Sequence, residues 1–211
     1  MVRPLALTAV AAGLLGCSSG ASAGTSLAAE PLRSAPPAAY LLQLDDLPLP
    51  GFTVDSPPAP VAVDGLAGGD QLRAARLRAD HFAAAAQARY FRPTADFANS
   101  NGPVDVISTV ERFASVSGAG DAFLAETQHQ DSAAGSTPLA TGPLGDQAHG
   151  VLVTADANGI PVARTVLVWR TANLVSILEV HERLAGSPLA HALAVAAPQV
   201  ARQGGATPLP Q

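Results

Sequence analysis

Several stretches carry residue types at spacings that chemistry could use. Gly16-Cys17-Ser18-Ser19-Gly20 fits the G-x-S-x-G pattern of a hydrolase nucleophile elbow. An elbow needs a sheet strand before its serine and a helix after it, and here an apolar leader precedes it, so the match is coincidental. His129-Gln130-Asp131-Ser132 holds the three residue types of a catalytic triad. Triad members converge from separate elements, so four neighbours in one polar loop after a helix do not make one. His181-Glu182 starts like a zincin helix but lacks the second histidine. Asp156-Ala157-Asn158-Gly159 resembles part of a calcium loop, yet Thr154 stands at the first ligand position and Thr165 where a glutamate is required. Gly118-Ala119-Gly120 lacks the third glycine of a dinucleotide fingerprint. The acid pairs Asp45-Asp46 and Glu179–Glu182 could serve a glycosidase only at a suitable separation. No lysine occurs, which removes P-loop, Schiff-base and Ser-x-x-Lys chemistry. A net charge of −5 argues against nucleic acid, whose phosphates require a basic face. Cys17 is the sole cysteine, so neither an intrachain disulfide nor a cysteine metal cluster can form.

The N-terminal elements give Cys17 another role. Met1-Val2-Arg3 is a short basic start, and Leu5 to Leu15 is an apolar run too short to span roughly 30 Å of hydrocarbon. It ends in Leu14-Leu15-Gly16-Cys17, which resembles the lipobox of bacterial lipoproteins. That resemblance implies cleavage after Gly16 and acylation of Cys17 (a diacylglyceryl group and palmitate-type chains), holding the chain on a membrane outside the cytoplasm. Two or more acyl chains anchor stably where one does not. Residues 1–16 are therefore expected as a signal peptide. Residues 17–39, rich in Ser, Gly, Ala and Pro, follow as a flexible tether. About twenty such residues span near 25 Å on average.

Residues 40–203 are expected as one α+β domain and 204–211 as a frayed tail. Gly51 to Val54 reads as an edge strand and Ser56 to Gly69 as a loop. Asp70 can cap a helix running to about Tyr90 on the stripe Leu72, Ala75, Ala79, Phe82 and Ala86. That helix would carry Arg73, Arg76, Arg78 and Arg89 on its outer side, with an Arg76–Asp80 pair. This is either a solvated face or an anion-binding patch. Val104 to Val110 reads as a strand, Ala119 to His129 as a helix, and Asp131 to Gly145 as a loop. Three strands follow: Gly150 to Ala155, Val162 to Arg170 and Leu174 to Val180, the first pair joined by a hairpin at Asp156–Gly159. Ser187-Pro188 opens a last helix with stripe Leu189, Leu193, Ala196 and Val200, which Pro198 should kink or end. The fold class is thus α+β, a mostly antiparallel sheet with a C-terminal three-strand meander and about three helices.

Four short motifs punctuate this domain: Asp45-Asp46-Leu47-Pro48-x-x-Gly51-Phe52, Glu111-Arg112-Phe113, Leu144-Gly145-Asp146-Gln147-Ala148, and Val168-Trp169-Arg170-Thr171-Ala172-Asn173-Leu174-Val175. They resemble a loose group of extracytoplasmic lipoproteins and sensor-type domains of high-GC bacteria, some similar to Mog1/PsbP-like folds. The last motif commonly has Gly where Ala172 stands. The resemblance implies fold and location, with no shared reaction. Trp169 is expected in the core, His149 bonded to Asp146 in a loop, and His81 and His191 partly exposed on helices. The resulting expectation is a lipid-anchored envelope domain that binds an envelope protein, lipid or cell-wall ligand without catalysis, metal or cofactor. No ligand-binding residues are assigned. A pocket, if there is one, should lie between the sheet and a covering helix. The alternative, an envelope hydrolase, requires His149 or His181 to meet a carboxylate and a hydroxyl in one cleft.

Overall fold

The computed structural model describes residues 31–205. The signal peptide, Cys17 and most of the expected tether lie outside the described residues, as do positions 206–211. In chain order the strands are β1 (Thr53–Pro60), β2 (Phe82–Phe91), β3 (Pro103–Phe113), β4 (Ser136–Leu139), β5 (Gln147–Ala157), β6 (Ile160–Thr171) and β7 (Leu174–Arg183). The helices are α1 (Val63–Ala67), α2 (Gln71–Ala79), α3 (Val116–Asp131) and α4 (Pro188–Gln203). The seven strands form one antiparallel sheet in the order β1-β2-β3-β7-β6-β5-β4. The expected α+β class and the C-terminal meander are both present. Asn158 and Gly159 take positive φ in the β5–β6 turn, as a two-residue hairpin demands.

The sheet is covered on both faces because its central strands are apolar on both. On one face Val106, Val110, Leu167, Trp169, Leu178 and Val180 pack under α4. On the other, Phe113, Val166, Val168, Val175 and Ile177 pack under α2 and α3. Alternation along each strand sends neighbouring residues to opposite layers. Trp169 is fully buried as expected, and its indole N–H donates to Gln203 Oε1 at 2.8 Å.

The expected helix from Asp70 to Tyr90 is corrected by the structure. Asp70 does cap α2, accepting from Leu72 N and Arg73 N. The helix stops at Ala79, His81 turns the chain at φ 60°, and residues 82–91 are strand β2. Alanine's helix propensity misleads here. Ala86, Ala88 and Tyr90 alternate with Gln87 and Arg89, and the buried members face α4 while β3 pairs along the whole length. Tertiary pairing outweighs a local preference of under 1 kcal/mol per residue. Arg89 therefore sits on a strand, and Arg76 does not pair with Asp80: the ion pairs formed are Arg73–Glu126 and Arg78–Asp64.

Three further expectations shift. The 56–69 loop holds the rest of β1 and the short α1. Pro57 and Pro58 are tolerated because β1 is an exposed, bulged edge strand with no outer neighbour needing their N–H groups. The 131–145 loop contains β4, the short strand at the other edge. Pro198 does not end α4, which runs to Gln203. Its last turn is held from outside: Ser108 Oγ donates to Gln199 Oε1, and Gln203 bonds Trp169 and Ser176.

Candidate functional site

The four punctuating motifs turn out to be fastenings. Both carboxylate oxygens of Asp46 accept from Arg202 Nη2, at 2.9 and 2.8 Å, tying the N-terminal turns to α4. Arg112 donates to the carbonyls of Ser34 and Ala35, so residues 33–39, expected to close the tether, instead lie docked on the sheet. Asp146 Oδ2 accepts from Ala172 N at 2.8 Å and holds Ala172 at φ 53° in the β6–β7 turn, where glycine is the commoner residue. Gly145 sits so close beneath that turn that a Cβ there would lie 2.3 Å from the Arg170 carbonyl oxygen. Asn173 Nδ2 donates to Phe113 O, joining the same turn to β3.

Glu111, inside the second motif, does something else. The sequence places the strand end at Val110, but β3 continues to Phe113. Glu111 therefore points into the layer between the sheet and the α2–α3 pair, the location expected for a pocket. It floors a hollow of about 120 Å³ walled by Arg73, Arg76, Leu77 and Asp80 of the α2 segment and by Ala122, Ala125, Glu126 and His129 of α3. The lining is neither aliphatic throughout nor a solid core. The first turn of α3 approaches the end of α2 at Gly118, where a Cβ would lie 2.1 Å from the Asp80 carbonyl oxygen.

Asp70, Arg73 and Glu126 around the hollow are satisfied internally. Glu126 accepts from Arg73 Nη2 at 2.7 Å through one oxygen and from Gln130 Nε2 at 2.7 Å through the other. Asp70 is spent on its helix cap, and those backbone hydrogen bonds hold its carboxyl below the usual range. Glu111 is 2% exposed, and its Oε1 has no partner. Burial, reinforced by the nearby Glu126 charge, pushes its carboxyl up to about 8. Asp80 is pushed up as well, by burial and by Asp121. With β3 extended to Phe113, Glu111 is an acid on a strand buried on both faces, which must be neutralised, paired or functional.

The same sheet face has a second, open hollow of about 480 Å³ beyond the end of α3. Val153, Ala155 and Val162 wall it, with Asp105, Arg164, His181 and Glu182 among its polar residues. Arg89 grips Asp105 through two 2.9 Å bonds, and Arg164 holds Glu179 at 2.9 Å. The His181 imidazole and the Arg164 guanidinium keep Glu179 below the usual carboxylate range. Asp105 and Arg164 are thus matched within the fold, while His181 Nε2, 3.8 Å from Glu179, and Glu182 Oε1 are buried without a hydrogen-bond partner.

The histidines lie apart. His149 bonds Asp131 at 2.8 Å, correcting the expected Asp146 partner, because β5 starts at Gln147 and carries His149 towards the end of α3. His191 bonds the buried Glu182 at 2.7 Å, where burial raises the Glu182 carboxyl. His81 stands in the α2–β2 turn, not on a helix. Among the described residues no imidazole is hydrogen-bonded to a hydroxyl.

No family model matches the sequence, and no curated protein does. Among solved structures, an uncharacterised Mycobacterium smegmatis protein orthologous to Rv0999 aligns over 78% of this chain and 95% of its own at 12% identity, but with a TM-score of 0.30. The extracellular domain of PknH from Mycobacterium tuberculosis aligns over 83% of this chain and 98% of its own, at a TM-score of 0.57 and 11% identity. With β1 to β7 and α1 to α4 in place, this chain is similar in fold to that extracellular domain, and at such identity the likeness is one of fold alone.

Proposed function

We propose that this chain is a lipid-anchored domain outside the cytoplasm that binds a small polar ligand in the α2–α3 pocket and does no bond chemistry on it. The single observation that carries the binding half is Glu111, a buried carboxyl without a partner at the floor of a hollow between sheet and helices. An unmet buried polar group costs about 1–3 kcal/mol, which a ligand that satisfies it returns as affinity. The placement half is supported by the signal-like leader, the lipobox resemblance at Leu14–Cys17 and the polar tether. The likeness of fold to an extracellular domain agrees with it, as does the resemblance of the four motifs to extracytoplasmic sensor-type domains.

Ala125, a half-buried position on the pocket wall, gives a direct test. Ala125→Trp should fill the hollow from its rim with little loss of stability. Small molecules retained by the purified wild-type chain, released on denaturation and weighed by mass spectrometry, are expected to be missing from this variant. Equal retention by both proteins, or none by either, counts against the pocket as the ligand site.

A further inference from the structure

Once internal bonds are subtracted, Glu111, Arg76, Asp80 and His129 remain without a side-chain partner at the pocket, Glu111 buried at the floor and Arg76 exposed at the rim. Glu111 at the floor lacks a donor. Arg76 lines the same hollow and forms no ion pair or side-chain hydrogen bond among the described contacts. Arg73, in contrast, is locked to Glu126, and Glu126 has both oxygens engaged. From these observations we infer that the pocket takes a small zwitterion of the α-amino-acid class, its ammonium group on the Glu111 carboxylate and its carboxylate on the Arg76 guanidinium. This rests on the pocket being the ligand site and goes further by naming what fills it.

Charge and size exclude the simpler occupants. A bare ammonium ion would answer Glu111 but meet the unpaired Arg76 as a like charge. A bare anion would answer Arg76 but meet Glu111, Glu126 and Asp80 inside. An apolar molecule would leave the buried carboxyl unsatisfied. The hollow of about 120 Å³ also bounds the ligand. A 150 Å³ cavity accepts benzene, so room here is for roughly five or six heavy atoms, the size of glycine or alanine.

The pairing carries a proton signature. An ammonium group pairs with Glu111 only after that carboxyl ionises, so binding at neutral pH must release a proton from it. The titratable and charged groups facing Glu111 are Asp70, Arg73, Arg76 and Asp80 from the α2 side, and Glu126 and His129 from α3. Its sheet neighbours Ala85 and Val175 carry no charge. His129→Gln therefore separates a contribution of the imidazole from that of Glu111.

Isothermal titration of the full chain in detergent with alanine, glycine, ethylamine and propionate tests the assignment. Alanine or glycine should bind at least tenfold more tightly than ethylamine or propionate. Affinity should rise at least tenfold between pH 6 and 8, with heats that depend on the buffer's ionisation enthalpy. Glu111→Gln should weaken alanine at least tenfold and remove the proton release, while His129→Gln keeps it. Arg76→Gln should bring alanine down to the level of ethylamine. Ethylamine binding as tightly as alanine overturns the zwitterion and leaves a cation pocket standing. Propionate binding most tightly overturns it in favour of an anion. Alanine binding unchanged in Glu111→Gln removes Glu111 from the ligand. No heat from any probe, with the Ala122 and Ala125 methyl resonances unmoved, takes the pocket reading down as well.

Discussion

Glu111 sets a stability signature that needs no ligand. Its folded carboxyl titrates near 8, against about 4.3 in an unfolded chain. Between those values the folded state holds a proton that the unfolded state has lost. Stability from this group is therefore highest below about pH 4, falls as pH rises towards 8, and is flat above, a loss on the order of a few kcal/mol. Glu111→Gln keeps the shape and removes the titration, so its melting temperature should fall less between pH 5 and 8 than that of wild type. Parallel thermal melts across that range check this, and identical slopes would contradict the burial of a neutral acid there. Glu182, also pushed up by burial, leaves a residual slope of the same sign. Glu179 acts oppositely: held low, it adds stability that is present at neutral pH and lost on acidification. The sequence displayed Glu111 as one letter of a motif. Its burial became visible only when β3 extended past Val110 and α2 closed over it.

At the scale of elements, α2 and α3 are joined by the Arg73–Glu126 pair, whose side chains are 23% and 7% exposed. Removing the arginine leaves a buried carboxylate with only Gln130 as partner. Arg73→Ala should cost roughly 2–3 kcal/mol, below the 3–5 of a fully buried pair because Arg73 is partly hydrated. Adding Glu126→Gln to it should recover much of that loss, since no charge is then stranded. Urea unfolding of the two single variants and the double variant measures the coupling. The elements themselves were unequally legible. The meander of β5, β6 and β7 stands out through β-branched runs and the Asn158-Gly159 turn. β2 does not, because Ala83 to Ala86 and Arg89 suit a helix locally and only the pairing with β3 decides otherwise. Pro57, Pro58 and Pro198 were read by their local rules as breakers. An edge position excuses the first two, and the grip of Ser108, Trp169 and Ser176 on the end of α4 overrides the third.

For the whole molecule, the docking of residues 33–39 on the sheet shortens any tether that starts at Cys17. Roughly fifteen residues lie between Cys17 and the docked segment. Cys17→Ser should remove the acyl chains and move the protein from the membrane fraction to the soluble fraction. Fractionation followed by immunoblotting checks this, and a membrane-bound variant would refute the lipid anchor. Among the described residues no helix is long and apolar enough to cross a membrane, so the anchor proposed here depends on the leader and Cys17.

The α+β class, the meander, the Ser187 cap of α4 and the buried Trp169 follow from the amino-acid sequence by itself. Each depends on patterning over a few residues: alternation, a turn pair, a capping side chain. The β2 strand, the burial of Glu111, the clasp of Arg73 on Glu126 and the unpaired Arg76 were decided by tertiary structure alone. Their physical reason is shared. A strand made largely of alanine, or an acid at neutral charge, exists only when residues distant in sequence supply the hydrogen bonds and exclude the water.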